Sequence, residues 1–163
     1  MASNHGPGPC RRRQEVALAG RRTAAGIAAK PAGWYGIFMQ ISLLKSKLHG
    51  LRVTQAELYY EGSITLDAEL LEAAGLHPYE LVQVLNVNNG SRLETYTIPA
   101  PPGSRTVCLN GPAARSSAVG DTVIVLSYAS MTPEEAAAHA PRIVLVGEGN
   151  EPVVIEDAAS RSG

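Results

Sequence analysis

The stretch ELVQVLNVNNGSRLETYTIPA, residues 80–100, decides the fold class of this chain. Two runs of β-branched and apolar residues flank Asn88, Asn89 and Gly90. Asparagine and glycine tolerate the positive φ angles that tight turns between antiparallel strands require. The stretch therefore predicts a β-hairpin, and we expect the neighbouring segments to add further strands to it.

Short strand-like runs continue on both sides of this hairpin. With 16 glycines and 11 prolines in 163 residues, the composition favours many turns over long helices. The pattern predicts strands at about 40–48 and 51–60, divided by Gly50, and in the runs SITL, RTVCLN, DTVIVLSYASM and RIVLVGEGN. The tail from about residue 150 is weakly patterned. We therefore predict a mainly β fold, a closed or nearly closed β-barrel with short helices.

Two short helices carry clear end signals. DAELLEAAG has Asp67 as an N-cap and Gly75 as a C-terminal stop. TPEEAAAHA has Thr132 as an N-cap and Pro133 at the first helical position. Both segments are predicted to decorate the barrel.

Residues 1–38 differ from the rest of the chain. They contain six Lys or Arg residues and one Glu, a net charge of +5, whereas the whole chain carries −1. Such a segment is typical of a nucleic-acid arm, a targeting segment or sequence outside the domain. The run QEVALAG, which follows Arg11–Arg13, is too short for the apolar part of a secretory signal. We therefore interpret Met39 as the true start and residues 1–38 as untranslated or disordered. The predicted domain is 39–147, followed by a tail, 148–163.

Several functional classes are excluded by the sequence. No apolar run approaches the roughly 18 residues of a membrane span, and neither phosphate-binding glycine motif is present. Cys10 and Cys108 are far apart, and the four histidines are scattered. We therefore expect no metal, no disulfide framework, no membrane and no nucleic acid, and a cytoplasmic location.

The dipeptide Gly-Ser occurs three times, at Gly62-Ser63, Gly90-Ser91 and Gly103-Ser104. All three fit turns, so composition and spacing alone do not separate them. The first differs in context, because it follows KLHGLRVTQAELYYE and precedes SITLD.

The runs KLHGLRVTQAELYYEGSITLD, VLNVNNGSRLETYTI, LNGPAARSSAVGDTVIVLSYASM and PRIVLV follow one another in this order. Together they closely resemble the pyruvoyl-dependent aspartate 1-decarboxylase family, from Met39 to about residue 147. The resemblance implies a six-stranded double-psi β-barrel. It also implies a precursor that cuts itself into a β chain ending at Gly62 and an α chain beginning at Ser63.

Self-cleavage of this kind needs a hydroxyl directly after an unshielded carbonyl. The Ser63 hydroxyl can attack the Gly62 carbonyl and convert the amide into an ester, and glycine lets the backbone bend there. The resemblance implies that Thr95 stabilises the oxyanion, and that Tyr60 and His49 support processing. It further implies that Ser63 becomes a covalent pyruvoyl group, which forms a Schiff base with substrate and replaces pyridoxal phosphate.

The implied substrate is L-aspartate, which is converted to β-alanine and CO₂ for pantothenate and coenzyme A synthesis. Arg92 and Lys47 match the family residues that bind its carboxylates, and arginine holds a carboxylate with two parallel hydrogen bonds. Tyr96 matches the family's proton donor. The role suits a tyrosine, because its phenol keeps its proton at neutral pH. The other implied substrate contacts are Thr95, Asn110, Ala113 and Ala114.

The family is a homotetramer whose sites are shared between neighbouring subunits. Two positions depart from its usual pattern: Leu85 stands where some relatives have Trp, and Pro112 stands where alanine is frequent. Two alternatives stay open, because a fold does not determine a function. One is a non-catalytic double-psi barrel binding module with an intact Gly62–Ser63 bond. The other is an autoprocessing hydrolase whose N-terminal nucleophile is Ser63.

Overall fold

The computed structural model describes residues 39–157, with side chains to residue 153, and these residues are mainly β. The predictions for residues 1–38 and for the last six residues lie outside this range. The strands are β1 (Ile41–Arg52), β2 (Gln55–Glu57), β3 (Ser63–Asp67), β4 (Leu81–Asn86), β5 (Arg92–Ala100), β6 (Val107–Asn110), β7 (Thr122–Met131), β8 (Arg142–Val146) and β9 (Pro152–Asp157). The α-helices are α1 (Ala68–Ala74) and α2 (Pro133–Ala138), and 3₁₀ helices span Gly111–Ser116 and Glu148–Asn150.

The strands form one hydrogen-bonded set in the order β2-β6-β3-β5-β4-β7-β1-β8-β9. β3 lies between β5, to which it is parallel, and β6, to which it is antiparallel. The mainly β class is thus confirmed. The six-stranded double-psi barrel stays a prediction, since nine strands take part in this set within the described residues.

The predicted hairpin is confirmed by the antiparallel pair of β4 and β5. Asn86 begins the turn, because its backbone carbonyl accepts from the Gly90 amide at 2.9 Å and its side chain accepts from the Asn88 amide at 2.8 Å. Gly90 has a φ of 74°, a conformation that glycine adopts at little cost. The turn chemistry read from the sequence therefore matches the hydrogen bonds that form.

The prediction of two strands at 40–48 and 51–60 was wrong. β1 runs without interruption from Ile41 to Arg52, and its register against β7 shifts between His49 and Leu51. Gly50 has a φ of 93° and forms a bulge, so it bends the strand instead of ending it. After the short strand β2, the chain turns at Leu58 and leads into Ser63.

The C-terminal segment also differs from its prediction as a weakly patterned tail. β9 pairs antiparallel with β8 and extends the sheet at its far edge. Asn150 anchors the connection, because its side chain accepts from the Arg52 amide at 2.8 Å and donates to the Arg52 carbonyl at 2.9 Å. A six-residue edge strand held by such contacts leaves little signal in local sequence.

Both predicted helices are confirmed with their caps. The Asp67 carboxylate accepts from the Glu69 amide, and Gly75 ends α1 in the left-handed conformation. Thr132 and Glu135 form a capping box at the start of α2. Within residues 39–157, no helix combines the length and apolar character needed to cross a bilayer.

The core gathers apolar side chains from most strands and from α1. Its fully buried members include Leu48, Leu51, Ile64, Leu66, Leu70, Val84, Leu109, Val123, Val125 and Val144. Ile64 and Leu66 alternate along β3 with Ser63 and Thr65, so one face of β3 belongs to the core and the other carries hydroxyl groups. This alternation positions the polar cluster described next.

Candidate active site

The most buried of the three Gly-Ser serines is Ser63, the first residue of β3, whose side chain has no exposed surface. Gly90 lies in the exposed hairpin turn, and Gly103 and Ser104 lie in an exposed loop. A buried hydroxyl needs a hydrogen-bond partner, since an unpaired one is costly. The structure therefore separates Gly62-Ser63 from the two dipeptides that the sequence left equivalent.

The partner of Ser63 is Asn110, which lies directly opposite it on β6. The Asn110 Nδ2 group donates to Ser63 Oγ at 2.7 Å and to Thr65 Oγ1 at 2.9 Å. On the other side of the amide, Cys108 Sγ donates to Asn110 Oδ1 at 3.2 Å. Asn110 is itself buried, so its side chain needs partners within the protein. These three contacts supply partners for both its Nδ2 group and its Oδ1 atom.

The turn before Ser63 is in close contact with Gly111. A Cβ atom placed on Gly111 would lie 2.6 Å from the carbonyl oxygen of Tyr60 and 3.0 Å from the nitrogen and Cα of Gly62. Gly111 also has a φ of 60°, which a side chain would strain. Pro112 follows, and its Cδ would lie 3.4 Å from a Cβ atom placed on Gly62. The Gly111-Pro112 segment thus supports the turn from one side.

An open cleft of about 340 Å³ lies beside this turn. Gly62, Thr95, Tyr96 and Ala113 line it, four residues that the sequence analysis assigned to the site. The remaining lining residues are Leu93, Glu94, Pro112 and Ser116. β5 supplies Thr95 and Tyr96 because it pairs with β3 and so runs next to the segment that begins at Ser63. The Tyr96 ring also lies 6.3 Å from the Tyr79 ring.

The other predicted site residues are more dispersed. Lys47 and His49 lie on β1, which is separated from β5 by β4 and β7 in the sheet. Arg92 is exposed at the start of β5, and the Tyr60 side chain is 56% exposed at the turn. Ala114 lies in the 3₁₀ helix next to Ala113, outside the lining of the cleft. Within the described residues, neither Lys47 nor Arg92 forms an ion pair.

Three residues of this arrangement were missed by the sequence analysis: Thr65, Cys108 and Gly111. Thr65 lies two residues from Ser63, and Cys108 lies two residues from Asn110, both in predicted strands. Alternate residues of a strand share a face, so each pair was expected on one face of its strand. Only the pairing of β3 with β6 brings the two pairs together. Within residues 39–153, whose side chains are described, no cluster of metal-ligating side chains is found.

The fold and the site define a mainly β protein in which a buried serine, held by an amide, adjoins an open cleft. Residues 39–153 match the family described as aspartate decarboxylase. The chain is 69% identical to the aspartate 1-decarboxylase of Salinibacter ruber over 113 residues, 69% of this chain and 77% of the relative. It is 54% identical to the aspartate 1-decarboxylase of Hyphomonas neptunium over 113 residues, 69% of this chain and 96% of the relative.

A third relative, the aspartate 1-decarboxylase of Maricaulis maris, is 52% identical over 121 residues, 74% of this chain and the full length of the relative. The chain belongs to the aspartate decarboxylase family. The resemblance read from the sequence motifs is thereby confirmed.

Proposed function

We propose that this chain is a self-processing, pyruvoyl-dependent enzyme that converts L-aspartate to β-alanine and CO₂. Membership of the aspartate decarboxylase family supports the substrate and the reaction. The observation that carries the self-processing step is the buried Ser63 hydroxyl, which accepts from Asn110 at 2.7 Å directly after Gly62. The family and the buried hydroxyl directly after Gly62 together support self-cleavage at this bond.

In the proposed cut, Ser63 Oγ attacks the carbonyl carbon of Gly62. The peptide C–N bond breaks as an ester C–O bond forms, and the hydroxyl proton passes to the released nitrogen of Ser63. A tetrahedral oxyanion forms on Gly62 during this step and needs a positioned donor. Thr95 lines the same cleft as Gly62 and is the residue proposed for that role.

Elimination then completes the cut. A base removes the α-proton of Ser63, the Cβ–Oγ bond breaks, and Gly62 leaves as a carboxylate. Water adds to the resulting dehydroalanine and ammonia departs, which leaves a pyruvoyl group at the start of the new chain. His49 and Tyr60 are proposed to support processing. Tyr60 belongs to the turn, whereas His49 lies on β1.

The residues present fit such a group. Ser63 supplies its carbon atoms, and the buried Asn110 Nδ2 provides a hydrogen-bond donor beside the same position. When formed, the pyruvoyl group supplies the carbonyl that accepts the electrons released with CO₂. The chain itself must bind aspartate, orient it and return a proton to its α-carbon. Tyr96 is proposed to hold that proton on its phenol oxygen, because it lines the cleft next to Thr95.

Two cations are proposed to bind the carboxylates of aspartate. Arg92 lies on the same strand as Tyr96 and is exposed, so its guanidinium is free to hold a carboxylate with two parallel hydrogen bonds. Lys47 lies on β1 and is not among the residues that line the cleft of its own chain. We therefore propose a homotetramer in which a neighbouring subunit delivers Lys47, with Asn110, Ala113 and Ala114 completing the substrate contacts. The product β-alanine would enter pantothenate and coenzyme A synthesis in the cytoplasm.

Mass spectrometry of the purified full-length protein tests this proposal. We expect a cut after Gly62 and a second chain lighter than a serine-initiated chain by the mass of one ammonia. The variant Ser63→Ala should stay uncut and release no CO₂ from aspartate. An uncut wild-type chain would favour a binding module, and a second chain beginning with a free serine would favour a hydrolase.

A further inference from the structure

We propose that Cys108 is a positioning residue for self-cleavage, whose thiol orients the amide of Asn110 toward Ser63. The inference rests on the proposed self-processing and extends it to a residue outside the cleft. Cys108 does not touch the bond that breaks, and it acts through Asn110.

Four polar side chains form a square block on one face of the β3–β6 pair. Ser63 lies opposite Asn110 and Thr65 lies opposite Cys108, with antiparallel register. Residues two apart on a strand project from the same face, so the four side chains meet by register alone. We call this group the hydroxyl–amide block. Ser63, Cys108 and Asn110 are buried, and within the described residues no buried side-chain nitrogen or oxygen lacks a hydrogen-bond partner.

The amide of Asn110 has two possible orientations in this block, and the thiol distinguishes them. The hydroxyls of Ser63 and Thr65 can each donate or accept, so they fit either end of an amide. Cys108 Sγ lies 3.2 Å from Oδ1, so its S–H donates to the amide oxygen. In the reversed orientation, Nδ2 would face a sulfur that accepts only weakly. The Nδ2 group then faces Ser63 and Thr65. Cys108 is therefore the member of the block that sets the direction of its hydrogen bonds.

The thiol has its proton available for this role. Burial raises the pKa of the Cys108 thiol and the negative charge of Glu57 adds to the effect, and together they outweigh the lowering caused by a hydrogen bond with the Glu57 backbone. A second acceptor, the Leu109 carbonyl oxygen, lies 3.9 Å from Sγ, so the Asn110 contact is the shorter of the two. The protonated form is the donor that the orientation of Asn110 requires.

The orientation matters for the chemistry of Ser63. With Nδ2 donating to Oγ, the hydroxyl hydrogen of Ser63 points away from Asn110 and is free to leave during attack on Gly62. In the elimination step, Oγ departs as a carboxylate oxygen of Gly62, and the same Nδ2 donor stabilises its developing negative charge. With the amide reversed, Oδ1 would accept the hydroxyl hydrogen and oppose that charge. A substitution at Cys108 that weakens this orientation of the Asn110 amide should therefore slow cleavage.

The test compares cleavage rates of full-length chains after a pulse of cell-free synthesis. Cys108→Val removes the donor and keeps a buried apolar side chain, whereas Cys108→Ser keeps a donor. We expect the valine variant to cleave about three- to tenfold more slowly, the rate equivalent of one neutral hydrogen bond. We expect the serine variant to cleave within about twofold of the wild type, since a hydroxyl donates at least as well as a thiol.

The matched control is Val107→Ala, which creates a small cavity in the same strand on the opposite, apolar face. It should lower the melting temperature without slowing cleavage of the folded chain, which separates positioning from stability. If valine lowers the melting temperature more than the control does, Cys108→Ala carries the comparison. The role proposed for Cys108 would be overturned if Cys108→Val cleaved as fast as the wild type, or if Cys108→Ser cleaved as slowly as Cys108→Val. Either result would leave the proposed self-processing standing. An uncut wild-type chain would overturn self-processing and the inference with it.

Discussion

Replacing Gly111 with alanine should disrupt the turn that contains the proposed cleavage bond. The added Cβ would lie 2.6 Å from the Tyr60 carbonyl oxygen and 3.0 Å from the nitrogen and Cα of Gly62. All three are backbone atoms, so no side chain can rotate away to relieve the contact. The turn itself, or the Gly111-Pro112 segment, must move.

Two costs add in this variant. Alanine at a φ of 60° costs roughly 1–2 kcal/mol, and overpacking against a well-packed backbone costs about 1–3 kcal/mol. We therefore expect the free energy of unfolding to fall by about 2–5 kcal/mol. Because the displaced atoms include those of Gly62, the fraction that folds should also cleave more slowly, by about tenfold for each 1.4 kcal/mol added to the barrier.

The control is Gly149→Ala, at a φ of 68° with no atom within 4 Å of the added Cβ. It carries the cost of backbone strain without the contact. Urea unfolding gives the stability of each variant, and a time course of chain cleavage gives the processing rate. Equal stability and equal cleavage rates for the two variants would refute the claim that Gly111 supports the cleavage turn.

Two further predictions concern charged side chains. Arg92→Ala should leave cleavage unchanged but raise the KM for aspartate about tenfold or more, because a charge-assisted contact is lost. Arg142→Ala on β8 is the control. An unchanged KM in Arg92→Ala would remove Arg92 from the substrate site. Burial raises the pKa of Glu80, but hydrogen bonds from Lys45, Ser127 and the His77 amide outweigh it and hold the pKa below its ordinary value of 4.5. The folded chain therefore binds this proton less readily than the unfolded chain, so the stabilisation is present above that value and is lost as the pH falls below it. Urea unfolding from about pH 6 to about pH 3 should show a smaller loss of stability in Glu80→Gln than in the wild type, and equal losses would contradict the assignment.

The sequence correctly predicted the elements whose signals lie within a few adjacent residues. The hairpin at Asn88–Gly90 and the caps at Asp67 and Thr132 were predicted because turn and cap chemistry depends on a few adjacent residues. The prediction failed at Gly50, where the sequence does not distinguish a glycine that ends a strand from one that bulges within it. The bulge forms because β7 pairs with both halves of β1 across Gly50.

The candidate site was predicted through motif order more than through local pattern. Gly62, Ser63, Thr95, Tyr96 and Ala113 were named by resemblance, and the structure brings them together around one cleft and its adjoining strand. Thr65 was missed because its contact with Asn110 depends on the register of two strands more than forty residues apart. Cys108 lies two residues from Asn110 in the same strand, but the local pattern does not show that this face of the strand meets Ser63. The alternating pattern sets which face of each strand is buried, but β3 and β6 are not joined by a tight turn that would fix which of their residues lie opposite each other.

By itself, the sequence determined the β class, the helix ends, the hairpin turn and the family to which the chain belongs. It did so because these depend on residue types at short spacing or on several motifs in a fixed order. Only the tertiary structure decided which Gly-Ser serine is buried and which amide holds it. Those facts depend on β3 lying between β5 and β6, an arrangement stabilised by burial of apolar side chains from distant parts of the chain.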